Sequence, residues 1–303
     1  MVLTGFHLEV TNICTLKCSR CSRTMFIEKY PNKWTNYNLN LKNLQNFLDI
    51  NLSGLEFNIC GTYGDPIYYS ELFELCKWLK SKNANIQLVT NGSYKKKEWW
   101  QELATILNSN DKVVWSIDGT PNNFTQYRIN ADWETIKTGI EIITKTNINT
   151  CWKYIVFNFN QENIEEAKAL SKSMNIQNFK IEKSYRWIEN DDMKPDEKFV
   201  DKSYTIKKNF TNEHEIYNIE PNCINTGYEH YISADGFYSP CCYIADHAFY
   251  YKTMWGKNKK FYKISDNTIS TLFKKIEVIN FYNGLNNENY PSVCKYHCGV
   301  CKN

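Results

Sequence analysis

Three cysteines near the start of the chain have the spacing of a metal-binding loop. Cys14, Cys18 and Cys21 form a C-x3-C-x2-C pattern within eight residues. Thiolates are the usual ligands of [4Fe–4S] clusters, and four complete the coordination. This loop supplies three, so one iron would keep the open position that catalytic metal sites need. A second group lies in the last 81 residues: Cys223, Cys241, Cys242, Cys294, Cys298 and Cys301. Of the twelve cysteines only Cys60, Cys76 and Cys151 fall between, and buried packing is their expected role. Twelve cysteines so clustered in a reducing compartment point to metal rather than to a disulfide framework.

Further polar patterns follow strand-like runs. The segment from Asn58 through Cys60, Gly61, Thr62, Tyr63, Gly64 and Asp65 to Pro66 places glycines just past a strand, where backbone can approach a ligand closely. Thr90-Asn91-Gly92 closes the next run, Ser116-Ile117-Asp118-Gly119 the one after, and Phe157-Asn158-Phe159-Asn160 the fifth. By strand alternation Ser116 and Asp118 are expected to point the same way, as are Asn158 and Asn160. Each pattern alone is an ordinary turn or cap. Together, in this order and behind the cysteine loop, they resemble the signature of the radical S-adenosyl-L-methionine (SAM) superfamily.

The resemblance implies that SAM chelates the open iron of a [4Fe–4S] cluster on Cys14, Cys18 and Cys21. One electron then breaks a carbon–sulfur bond, and the resulting 5′-deoxyadenosyl radical takes a hydrogen atom from substrate. Gly61, Thr62, Tyr63, Gly64 and Asp65 align with the family's Gly-Gly-Glu-Pro motif, which meets the SAM ammonium. Asn91, Ser116, Asp118 and Asn158 correspond to contacts with SAM or substrate, and Tyr127-Arg128 also fits the family pattern. Many members carry an aromatic residue where this chain has Arg20.

The spacing C-x12-G-x4-C over Cys223, Gly236 and Cys241 resembles the opening of the SPASM and Twitch extensions of this superfamily. The Asp235-Gly236 turn would fold residues 231–240 into a hairpin. The resemblance implies an auxiliary [4Fe–4S] cluster, with Cys223, Cys241, Cys298 and Cys301 as its expected ligands. Cys242 and Cys294 are left over, and either could exchange with a neighbour. Six cysteines are fewer than the seven of a full SPASM domain, which favours the shorter Twitch form. A zinc knuckle is the rival, since thiolates suit both metals. Cys294, Cys298 and Cys301 repeat the C-x3-C-x2-C spacing, but no βα pattern follows them.

The elements that must position these residues alternate. Strand-like runs at 6–11, 55–60, 85–90, 112–117, 152–159 and 178–182 interleave with helical patterns near 40–51, 69–82, 95–108, 132–146 and 162–174. Such alternation predicts an α/β fold with a parallel sheet, curled as a partial (β/α)6 barrel over residues 1–190. Ligands of such sheets bind at the C-terminal strand ends. Residues 191–222 read as a connector, and 223–303 as a small Cys-rich α+β Twitch/SPASM-like domain with a helix near 268–282.

A net charge of +3 over 303 residues suggests neither a nucleic-acid groove nor a membrane patch. Runs at Lys95–Lys97 and at Lys257, Lys259 and Lys260 read as solvated surface. No signal peptide or membrane span is apparent, so a cytoplasmic location is expected. The expected activity is a two-electron oxidation of a small polyol or sugar-type substrate, with a flavodoxin- or ferredoxin-type electron donor. The first strand starts near Phe6, which leaves no room for an N-terminal peptide-recognition domain. Modification of a ribosomal peptide, by cross-linking or epimerisation, is the alternative; a non-enzymatic zinc or electron-transfer protein is the other. Epimerisation would need a thiol hydrogen-atom donor, for which Cys60, Cys151, Cys242 and Cys294 are candidates. No general base is assigned among His230, Tyr243, Asp246, His247, Arg186 and Trp187.

Overall fold

The computed structural model describes residues 3–183, 191–200, 218–219, 221, 223, 227–245 and 253–300. Six strands follow in chain order: β1 Leu3–Leu8, β2 Glu56–Ile59, β3 Asn85–Thr90, β4 Lys112–Ser116, β5 Asn149–Ile155 and β6 Asn178–Glu182. Each pairs in parallel with the next. Side chains alternate across the sheet. Phe6, Leu8, Phe57, Ile59, Ile86, Leu88, Val113 and Trp115 form one face and lie in the main core. The intervening His7, Asn58 and Gln87 form a polar opposite face, where Gln87 donates to Asn58 at 3.3 Å.

Helices cover the apolar face. After α1 (Ser22–Lys29) and α2 (Leu41–Phe47), α3 (Leu72–Ser81) buries Leu72, Leu75, Cys76 and Leu79, one stripe of a 3.6-residue period. Next come α4 (Lys97–Ile106), α5 (Trp133–Ile143) and α6 (Ile164–Ser173). The α4 and α5 helices approach closely because Gly139 makes room for Trp100; a Cβ there would lie 2.6 Å from the indole. Asp132 caps α5, accepting the Thr135 N–H at 2.7 Å. The α1 helix was not expected: only Thr24 is buried, so it shows no apolar stripe.

The C-terminal region joins this sheet. Strand β7 is Asn218–Ile219, and β8 (Tyr228–Ile232) lies parallel to β1 on the edge opposite β2, with Phe6 facing His230. β9 (Tyr238–Ser239) returns antiparallel, as the predicted hairpin requires, with Gly236 at φ +80° in its turn. The order is thus β6-β5-β4-β3-β2-β1-β8-β9. The helix expected near 268–282 is two pieces: a turn at Ile269–Leu272 capped by Thr268, then α7 (Ile276–Asn286). α7 sends Val278, Phe281, Tyr282 and Leu285 into the same core as β1. A short α8 (Ser292–His297) leads to β10 (Gly299–Val300), which pairs antiparallel with β7. Among the described residues no helix is long and apolar enough to cross a membrane.

Candidate functional site

The cysteine loop leaves the C-terminal end of β1 and sits on a small apolar patch of its own. Leu16 and Cys18 pack with Tyr127, Ile155 and Phe157, and Cys14 and Cys21 border them. The backbone fixes it there: Lys17 N–H donates to Ile129 O and Cys21 N–H to Cys18 O, each at 3.0 Å. Three thiols on one loop in a weakly polar seat fit an iron–sulfur cluster with one open iron.

Asp65 and Asn91 tie that loop to the next two strand ends. Asp65 accepts the Asn91 backbone N–H and side-chain amide, each at 2.6 Å, and the Thr90 hydroxyl at 2.7 Å. The same Asn91 amide reaches the Cys14 sulfur at 3.7 Å. Burial, then the nearby Asp65 charge, pushes the Cys14 thiol up to about 12. Its proton would leave only for a metal, as thiolate ligation requires. Burial also raises the Asp65 carboxyl, opposed by these donors. Gly64 is pressed on the approach to the loop, for a Cβ there would meet Thr11 O at 2.1 Å. Thr62 is exposed; Gly61 and Tyr63 are half-buried.

Glu9 is the residue that sequence reasoning missed. It is 2% exposed. Its Oε1 accepts the Tyr63 N–H at 2.6 Å and the Gly64 N–H at 3.4 Å, and its Oε2 accepts the Tyr231 hydroxyl at 2.5 Å. Burial raises its carboxyl above the ordinary range. The only signal was a charged residue inside an otherwise apolar run.

One expectation from strand alternation needs correction. β4 ends at Ser116, which is half-buried, and Asp118 lies two residues past it. The Asp118 carboxylate is spent on the Ile155 N–H and on Arg128, each at 2.7 Å. Asn158 and Asn160 do not share a face, because β5 ends at Ile155. Asn158 is exposed, whereas Asn160 is buried and caps the turn by accepting the Phe157 N–H and donating to Ile155 O and Asp118 O. Asp118 thereby serves as the anchor of Arg128. Burial disfavours the Arg128 charge, but Asp118 and then Cys18 outweigh it and keep the guanidinium firmly protonated. A fixed cation beside Cys18 suits thiolate ligation.

Arg20 forks onto Asp191 at 2.6 and 2.7 Å, pinning the connector to the loop. His230 is no general base. It is buried between Tyr238 and Tyr282, whose hydroxyls lie 2.7 and 3.0 Å from Nδ1, and burial lowers it to about 3. Tyr243 stacks on His297 with ring centroids 4.5 Å apart. Arg186, Trp187, Asp246, His247 and Cys301 lie outside the described residues.

Of the C-terminal thiols, Cys294 is raised by burial and then by the charges of Cys241, Cys298 and Cys223. Cys298 N–H donates to Cys294 O at 2.8 Å. Hydrogen bonding to Cys242, then burial, raises Cys241. Cys294, left over in the sequence-based set, stands among the others. Among the described residues no three His, Cys, Asp or Glu side chains converge as a single ion would require.

Comparison with known proteins agrees. The chain resembles Streptococcus suis SuiB bound to its precursor peptide SuiA, with a TM-score of 0.64, 14% identity, and coverage of 99% of this chain and 72% of that one. SuiB bound to S-adenosylmethionine gives a TM-score of 0.58 at 14% identity, covering 96% and 77%. BtrN in complex with AdoMet and 2-DOIA gives 0.51 at 13%, covering 97% and 92%. At these identities the likeness is one of fold. No curated protein matches the sequence. The family model of the Radical SAM superfamily matches residues 8–173, more than half of the chain. That span carries the cysteine loop and all five strand ends described above, and the chain belongs to the radical SAM superfamily.

Proposed function

We propose that this radical SAM enzyme carries out a two-electron oxidation, with an auxiliary [4Fe–4S] cluster in the C-terminal region as the acceptor of the second electron. When bound, the cluster on Cys14, Cys18 and Cys21 supplies one-electron cleavage of SAM and hence a hydrogen-abstracting radical. The chain's own residues hold the parts in place. Asn91 couples Asp65 to Cys14, and Asp118 aims Arg128 toward Cys18. The backbone of Gly61, Thr62, Tyr63 and Gly64 forms the strand-end surface for the SAM ammonium, with Ser116 and Asn91 beside it. Asp65 and Asp118 act by positioning, and Asn158 remains an exposed contact for substrate or SAM.

The observation that carries the reading is the Asp65–Asn91–Cys14 chain, which joins three motifs distant in sequence at one sulfur. The auxiliary cluster is supported by the electrostatic influence of Cys223, Cys241 and Cys298 on Cys294; Cys301, a ligand expected from sequence, lies outside the described residues. Residues 1–190, 191–222 and 223–303 then serve as core, connector and auxiliary region, the last joined to the core through β8. A small polyol or sugar-type molecule is the favoured substrate. Peptide modification is the second reading, since SuiB, similar in fold along nearly the whole chain, was solved with a precursor peptide.

Anaerobic reconstitution should load about eight irons per chain, as two four-iron clusters demand. SAM and dithionite should then yield 5′-deoxyadenosine, and alanine at positions 14, 18 and 21 should abolish it. Retained cleavage in that triple variant, or zinc in place of iron, overturns the reading.

A further inference from the structure

A cavity of about 260 Å³ opens beside the cysteine loop, between the segment after β1 and the β8–β9 hairpin. Glu9 and Tyr63 border it, with Trp34, Tyr37, Phe26 and Tyr231 among its walls. None of the three loop cysteines lines it. It is therefore distinct from the cluster seat, though it shares Tyr63 with the proposed SAM surface.

Its formal charges balance, Glu9 and Asp235 against Lys33 and Lys259, but they are not paired off evenly. Lys259 lines the cavity but pairs with Asp235 at 2.5 Å and sits over the Phe237 ring, so it is not the solvated lysine expected from sequence. Lys33 is exposed and lies over the Tyr30 ring. Glu9 has no ion pair among the described residues, although it is almost wholly buried. A carboxylate offers about four lone-pair sites, and the Tyr63, Gly64 and Tyr231 donors use three. Aromatic faces attract cations through their quadrupoles. Trp34 already does so on one side, where the Arg23 guanidinium lies 5.6 Å from its ring, and it meets Tyr63 at 6.0 Å.

We propose that this cavity receives the cationic end of the substrate, an alkylammonium group, with Glu9 as its counter-ion and Trp34 and Tyr63 as its aromatic wall. The inference rests on the radical SAM reading for its role, and it names a substrate class: a molecule carrying an amine some distance from the carbon that loses hydrogen. A free diamine and a lysine side chain offer the same chemistry.

The test is isothermal titration of the reconstituted full chain with three probes: cadaverine, Nα-acetyl-lysine methylamide and the neutral 1-pentanol. At least one ammonium probe should bind and 1-pentanol should not; preference between the first two separates a small amine from a peptide side chain. Glu9→Gln keeps an oxygen for the Tyr63 N–H but loses the charge, and should weaken binding about tenfold. Trp34→Ala, at a half-exposed position, should weaken it about threefold, and it decides the matter if the Glu9 variant does not fold. Absence of ammonium binding, equal binding of 1-pentanol, or indifference to the folded variants overturns the proposal. Formation of 5′-deoxyadenosine is measured in the same samples. Its absence from the wild type counts against the reading of the cluster site, while the titration alone decides the cavity.

Discussion

The two cysteine-bearing regions are built in opposite ways. The N-terminal thiols come from one eight-residue stretch, and the fold brings supports to them: Asn91 from just past β3, Arg128 from beyond β4, Ile155 from the end of β5 and Phe157 from the turn after it. The C-terminal thiols come from separate stretches around 223, 241 and 294, and in the proposed auxiliary site the fold itself would have to gather them. A local loop needs buried polar partners to be held at one orientation. A dispersed set needs only that β8, β9 and α8 pack correctly. The first arrangement should therefore fail when a polar support is cut, and the second when a thiol is removed.

Cutting the supports should have the largest effect. Asp65→Ala leaves the buried Asn91 and Thr90 donors without their acceptor, at a cost of about 3 kcal/mol. Chemical denaturation should show that loss, and the N-terminal iron should be retained less well than in the wild type. Unchanged stability would remove the polar anchor from the comparison. Next, Cys294→Ser should lower iron from about eight toward about four per chain while 5′-deoxyadenosine still forms. Cys242→Ser should leave the iron count alone; the reverse pattern would exchange their roles.

The smallest expected effect is a matter of pH. His230 is lowered to about 3 in the fold against an ordinary 6.5, so its neutral form is favoured. Its contribution is complete above pH 6.5 and is lost as the pH falls from there toward 3. Stability should drop by about 1 kcal/mol between pH 6.5 and 5.5. His230→Gln should flatten that window in urea titrations. An identical slope in the variant would show that the hairpin core does not titrate there.

Legibility in the sequence follows the same division. Strands β3 and β6 lie where periodicity placed them, because both are bounded by clear turn residues. The expected 6–11 strand is β1 at Leu3–Leu8, since Glu9 turns its carboxylate to the Tyr63 and Gly64 amides. The expected 152–159 strand is β5 at Asn149–Ile155, since Asn160 folds the apolar Phe157 into a capped turn. The cysteine loop and its strand-end partners were readable as motifs. What Asp118 and Asn160 grip was not, because a strand end and a cap carry the same residue types. The role of Arg20 depends on Asp191, far away in the chain. Docking of the hairpin on β1 left no mark in either segment beyond ordinary apolar residues.

That docking bears on how the polypeptide is made. Thr4 and Tyr228 meet across 224 residues, so β1 must wait for a partner strand synthesised long after it. Until then its hydrogen-bonding edge is open to wrong annealing, and ring closure over so long a span is slow. Synthesis should accordingly lean on chaperones that shield nascent strand edges.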